Sequence, residues 1–89
     1  MSVAKQFGDN LSRLREQAEV TQEELAFRAS LHRTEIGLLE RGGRLPRIDT
    51  LAKLAGALGV QPGEFFDGIK WESGDVRRGA FVPETPGGA

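Results

Sequence analysis

The chain has no cysteine and no tyrosine, a single histidine, and no long apolar run, and each scarcity removes a class of function. Without cysteine there are no disulfides and no thiolate metal sites, and His32 by itself cannot form a ligand cluster. No stretch approaches the ~18 apolar residues of a membrane span, and the opening MSVAKQFGDN lacks the apolar region of a signal peptide, so a cytoplasmic protein is expected. Ser2, Ser12, Ser30 and Ser73 lie in no nucleophile motif, and the glycines of GLLERGGR follow no strand, so they form no phosphate-cradling loop. The adjacent Glu23 and Glu24 sit at a helix start, where acids suit the helix dipole. Neither catalysis nor a metal or cofactor is expected.

What is present is one small domain of 89 residues with net charge −1, enough chain for a single core. The charge is uneven. Between residues 26 and 47 stand Arg28, Arg33, Arg41, Arg44 and Arg47 against Glu35 and Glu40, while acids gather at Glu16, Glu19, Glu23, Glu24 and again from Glu64 onward. A basic face on an acidic body suits a localised polyanion contact, although charge alone fits a solvated surface equally well.

Apolar spacing divides the body into short helices. Val3, Phe7, Leu11, Leu14 and Ala18 recur at three and four, with Ser2 as N-cap. In VTQEELAFRAS, Thr21 and Glu24 have capping-box spacing, Val20 can staple onto Leu25, and Leu25, Ala26 and Ala29 form the inner side. A third helix of about two turns turns Ile36 and Leu39 inward and closes at Gly42 and Gly43. A fourth carries the stripe Ile48, Leu51, Leu54, Ala55 and Leu58 and stops at Gly59. A fifth is expected from Pro62, with Phe65 and Phe66 closing the core. The fold expected for residues 1–67 is thus an all-α bundle of five short helices, helices two and three spanning about 22–29 and 33–41. Residues 68–89 form a C-terminal extension in which Ile69–Trp71 and Ala80–Val82 read either as two strands around a polar turn or as one strand and a loose segment. PETPGGA reads as disordered.

The third helix poses a question. With Ile36 and Leu39 inward, Gly37 and Leu38 fall on or near the outer face beside Arg33 and Thr34, where a domain gains nothing by showing them to water. Two short helices joined by a tight turn, the second bearing exposed arginine, form the arrangement whose second helix fits the major groove of DNA.

The motifs TQEELA, an isoleucine at the third-helix centre, LERG, a proline and DTLAKLAGALGV resemble the helix-turn-helix family of the lambdoid phage repressors and Cro, the XRE family, over about residues 4–67. The resemblance implies a five-helix, lambda-repressor-like DNA-binding domain. It places Gln22, at the start of helix two, on a phosphate, a place suited by the unpaired amides of a helix N-terminus. It puts Arg33 and Thr34 at base edges, Arg33 suited to guanine O6 and N7 or else to a phosphate. Gly37 and Leu38 match the next outward turn, where Leu38 could meet a thymine methyl or instead pack inside or on a partner protein. Arg41, Arg44 and Arg47, with the free amides of Gly42 and Gly43, match the loop that lies along the phosphate backbone. Arg15 and Glu40 match a structural salt bridge between helices three and one.

This sequence departs from the family pattern at several points. Glu19 and Ser30 stand where glycine is common, and a left-handed non-glycine costs on the order of 1 kcal/mol. His32 replaces a serine or threonine cap, so its imidazole caps poorly or contacts phosphate, and Arg47 replaces a capping serine before helix four. The expectation is a regulator that binds duplex DNA as a homodimer, because one short helix offers too few contacts for the ~10⁻⁸–10⁻¹¹ M of specific binders. The dimer interface could lie at Phe65 and Phe66 or on the extension, at Ile69, Trp71 and Phe81. With about 22 residues after helix five, no sensor domain is expected. The rival reading is a protein-interaction module, such as an antitoxin whose C-terminal tail binds a partner.

Overall fold

The structure, a computed structural model, describes residues 1–84. In chain order these form α1 (Val3–Gln17), α2 (Gln22–Ala29), α3 (Arg33–Glu40), α4 (Ile48–Leu58), a 3-10 helix (Pro62–Phe66), β1 (Ile69–Glu72) and β2 (Ala80–Pro83). None of the helices is long and apolar enough to cross a membrane among the described residues.

The helix starts follow local chemistry. The Ser2 hydroxyl accepts from the Lys5 amide at 3.1 Å and the Thr21 hydroxyl from the Glu24 amide at 3.0 Å, each satisfying a donor that the helix leaves unpaired. The stops use left-handed residues, Gly59 after α4 (φ 68°) and Ser30 after α2 (φ 55°), while Glu19 (φ 58°) ends the turn after α1. Both departures from glycine therefore adopt the conformation glycine would favour. The core joins Phe7, Leu11 and Leu14 of α1, Leu25, Ala26 and Ala29 of α2, Ile36 and Leu39 of α3 and Leu54 and Ala55 of α4, with Val20 and Phe65. Gly8 lets α1 touch the end of α3: a Cβ there would stand 2.7 Å from the Glu40 carbonyl oxygen.

Two expectations require correction. Among the described residues the bundle has four α-helices, not five, and of the readings offered for the extension the two-stranded hairpin is the one formed. The segment Pro62–Phe66 closes as a 3-10 helix because it is only five residues long, its second residue is Gly63, and the carbonyls at its end are taken from outside. The Asn10 side-chain amide donates to Phe65 O at 2.8 Å and to Asp67 O at 2.7 Å, which pins the segment to α1 before another turn can form. Phe65 then stacks on Phe7 with ring centroids 5.5 Å apart. The second correction concerns Ile48. Its place on the α4 stripe predicted burial, yet it is 86% exposed, and Thr50 is buried instead.

In the extension, β1 and β2 pair antiparallel in the register Ile69↔Pro83, Lys70↔Val82, Trp71↔Phe81 and Glu72↔Ala80. Trp71 and Phe81 meet edge to face at 5.1 Å. The Glu84 amide donates to Gly68 O at 3.1 Å. Of the tail expected to be disordered, Pro83 thus ends β2, and residues 85–89 lie outside the described residues.

Candidate nucleic-acid interface

α2 and α3 are set against each other by the turn Ser30–His32. The Ser30 amide donates to Phe27 O at 3.3 Å and the Leu31 amide to Ala26 O at 2.9 Å, so the left-handed Ser30 closes α2 and sends Leu31 back onto the core. His32 caps α3 through its backbone only, with no side-chain cap bond, and its ring is exposed. α3 then presents Arg33 and Thr34 to solvent on its first turn.

Behind that face lies a polar bracket. The Arg15 guanidinium donates from Nε to Glu40 Oε2 at 2.6 Å, from Nη2 to Glu40 Oε1 at 3.0 Å, and from Nη1 to Val20 O at 3.0 Å. The Gln22 side-chain amide adds a bond to Glu40 Oε1 at 3.1 Å. Glu40, 8% exposed at its side chain, therefore ties the ends of α1 and α3 to the start of α2. Burial raises the Glu40 pKa, but the hydrogen bonds from Arg15 and Gln22 and the charge of Arg15 outweigh it and leave the carboxyl below its ordinary value. The Glu40 hydrogen bond raises Arg15 further above its ordinary range.

The sequence-expected residues do not all stand as expected. Gly37 points outward by helix position, yet it is covered: Nη1 of Arg41 lies 3.0 Å from where a Cβ at 37 would be. Leu38 is half-buried against the helix end, since a Cβ at Gly43 would lie 3.1 Å from its Cγ. The amides of Gly42 and Gly43 are not free, for they donate to Leu39 O at 3.1 Å and Leu38 O at 2.9 Å and close the end of α3. Gly42 also sits at φ 75° against the backbone of Lys5, so it shapes the loop. The Gln22 side chain is engaged by Glu40, while its backbone N–H remains in the first turn of α2, where no intrahelical acceptor exists. Phe65 is fully buried and belongs to the core, not to a dimer surface.

Three arginines of this region stand beside carboxylates. Arg33 Nε is 3.9 Å from Glu23 Oε1, Arg44 Nη2 3.3 Å from Glu35 Oε2, and Arg47 Nη2 3.3 Å from Asp49 Oδ2. All three arginines are exposed, although Glu35 is half-buried, and such surface contacts exchange readily for other anions. Arg15, Gln22 and Arg33 also line one open cleft at the start of α2.

A second surface gathers three of the residues expected at a dimer interface, Phe66, Ile69 and Phe81, together with Val3, Leu45 and Ile48, which sequence reasoning did not place there; they border an apolar groove of about 530 Å³. Leu45 is 50% exposed, in a loop whose glycines, arginines and proline carry the family pattern.

Residues 11–65 match the profile of the helix-turn-helix family HTH_3. The control protein C.BamHI of Bacillus amyloliquefaciens is 42% identical over 62 residues, 68% of this chain and 76% of that protein. The crystal structure of the restriction-modification controller protein C.AhdI from Aeromonas hydrophila matches with a TM-score of 0.71 at 38% identity, covering 74% of this chain and all of that one. A variant of the controller C.Esp1396I, bound to its highest-affinity operator site, matches with a TM-score of 0.67 at 29% identity, over 74% of this chain and 87% of that one. The chain belongs to the Cro/CI-type helix-turn-helix family, related to the XRE-type repressors and the restriction-modification controllers. It is a sequence-specific DNA-binding transcriptional regulator.

Proposed function

We propose that this regulator acts in the cytoplasm as a homodimer, residues 1–67 reading DNA and residues 68–89 extending the dimer surface. Each subunit lays α3 in the major groove of one half-site, the two half-sites lying about one helical turn, ~34 Å, apart. The observation that carries this is the exposed first turn of α3, with Arg33 and Thr34 projecting from a helix locked in place by the Arg15–Glu40 bracket. Arg33 grips a guanine through O6 and N7, exchanging its long contact with Glu23 for two short hydrogen bonds, and Thr34 meets a neighbouring base. Leu38, half-buried, adds an apolar contact at its exposed edge, while Gly37 lies beneath Arg41. The Gln22 backbone amide, His32, Arg44 and Arg47 hold phosphates, and these contacts set position without reading sequence. The resemblance to restriction-modification controllers supports a controller-type role.

The titration that tests this measures affinity for a duplex selected from a random pool and for a scrambled duplex at several salt concentrations. Selective binding that weakens steeply with salt is expected. A folded dimer that binds neither duplex at low salt would overturn the reading.

The dimer forms across the apolar groove, where Ile48, Phe66 and Phe81 are large, apolar and at least 46% exposed. Burying such a surface is the ordinary source of association free energy. Ile48→Glu, at a site that contributes nothing to the core, is expected to give a folded monomer by sedimentation; an unchanged dimer would place the interface elsewhere. A second reading, a protein partner seated on the hairpin, is favoured by the exposure of Trp71 at 54%. Emission from this single tryptophan distinguishes the two: a blue shift on dimerisation supports the homodimer surface, and a shift only when a partner is added supports the other.

A further inference from the structure

We infer that Arg41, not a residue at position 37 or 38, supplies the polar base contact at the middle of the recognition helix. The inference rests on the DNA-reading role of α3 proposed above. At about 100° per residue, Thr34, Gly37 and Arg41 fall within about 60° of one another on the side of α3 opposite Ile36 and Leu39. They form one outward row. Side chains on a helix lean toward its N-terminus, so a long side chain at 41 is carried back over 37 and toward 34. That is the arrangement found: the Arg41 guanidinium lies on Gly37, with Nη1 3.0 Å and Cζ 4.0 Å from the position of a Cβ there. Glycine at 37 leaves the slot, and arginine four residues on occupies it.

The other arginines of this face are engaged. Arg33, Arg44 and Arg47 each have a carboxylate within 4 Å, and Arg41 has none among the described residues. Its guanidinium is thus held by packing along the helix and not by an acid that DNA would have to displace. Five donors in a planar fork match guanine O6 and N7, and a fork resting on the helix axis reaches the groove floor more directly than the flanking backbone. Gly37 has no side chain and Leu38 no polar group to read with, so the polar contact comes from the end of the helix.

The test uses a base-pair-by-base-pair panel built on the duplex selected by the wild-type protein, with Arg41→Ala and Arg41→Lys; Arg41 is exposed, and both variants are expected to fold. Arg41→Ala should lose roughly 10-fold or more of the discrimination at one base pair in each half-site and leave preferences at the other positions unchanged. Arg41→Lys should lose the same discrimination while keeping the salt dependence, because it retains the charge without the fork. A uniform loss over the whole panel, with the slope against salt lowered by about one, would make Arg41 a phosphate contact and overturn the inference. If the wild-type protein selects no motif at all, the base-reading role of α3 fails and this inference falls with it; a motif that survives Arg41→Ala intact removes only the role of Arg41.

Discussion

The helical body and the C-terminal hairpin are held together in different ways. In the body, Phe7, Leu11, Leu25, Ile36, Leu39, Leu54 and Phe65 are all less than 2% exposed, and the polar bracket of Arg15, Gln22 and Glu40 fastens three helix ends. In the hairpin no residue of either strand is buried, Trp71 and Phe81 rest mainly on each other, and the ladder is four residues long. A two-stranded hairpin alone is marginal in water. The body's order comes from closing a core on itself, whereas the hairpin draws its order from one aromatic pair, the Gly68–Glu84 bond and the edge of the apolar groove. The controller C.AhdI is matched over its whole length by 74% of this chain, so about a quarter of the chain is additional to that protein.

The contrast can be broken most strongly at the bracket. Glu40→Ala removes two of the three hydrogen bonds of the part-buried Arg15 guanidinium and is expected to lower the stability of the whole body by about 2–3 kcal/mol, read by thermal or urea unfolding. The same pair gives the body an acid dependence. Because the folded-state pKa of Glu40 is depressed, its contribution is complete above the unfolded value of about 4.3 and is lost as pH falls through the lower folded value. Glu40→Gln should therefore flatten the stability profile below about pH 4.3 and leave the profile between pH 6 and 8 parallel to wild type.

Asn10→Ala acts at the seam. It strips the Phe65 and Asp67 carbonyls of a donor and should cost about 1–3 kcal/mol, with the hairpin amides losing protection together with those of α1. Phe81→Ala sharpens the comparison. It removes the edge-to-face contact with Trp71 and should cost the hairpin about 1 kcal/mol, speeding hydrogen exchange at Lys70 and Glu72 while exchange in α1 and α3 stays unchanged. The smallest expected effect is favourable: Ser30→Gly relieves a left-handed non-glycine and should stabilise the body by about 0.5–1 kcal/mol, measured as a rise in midpoint.

Much of the body was legible because its signals are local. Ser2 and Thr21 cap where a donor needs an acceptor, Gly59 stops α4, and the three-and-four spacing of Phe7, Leu11 and Leu14 marks a face that is indeed buried. Ile48 shows the limit of that reasoning. Periodicity assigns a residue to a face, but burial needs a neighbour to cover it, and at the first residue of α4 none does. The fifth helix failed for a related reason: Pro62 and the two phenylalanines announce a helical turn, while its type depended on Asn10, more than fifty residues away, reaching its last carbonyls.

The outer face of α3 divides in the same manner. Composition and spacing alone determined that this chain carries a short helix, flanked by arginines, whose Arg33 side faces away from the core, because three-and-four periodicity and formal charge are properties of the chain itself. Only the tertiary structure decided what each outward residue has to work with. The amides of Gly42 and Gly43 are spent on closing the helix, Gln22 is drawn to Glu40, Leu38 leans on Gly43, and Gly37 gives its place to Arg41. Such outcomes turn on which of several nearby partners a flexible side chain or an unpaired amide meets in space, a competition that linear order does not settle.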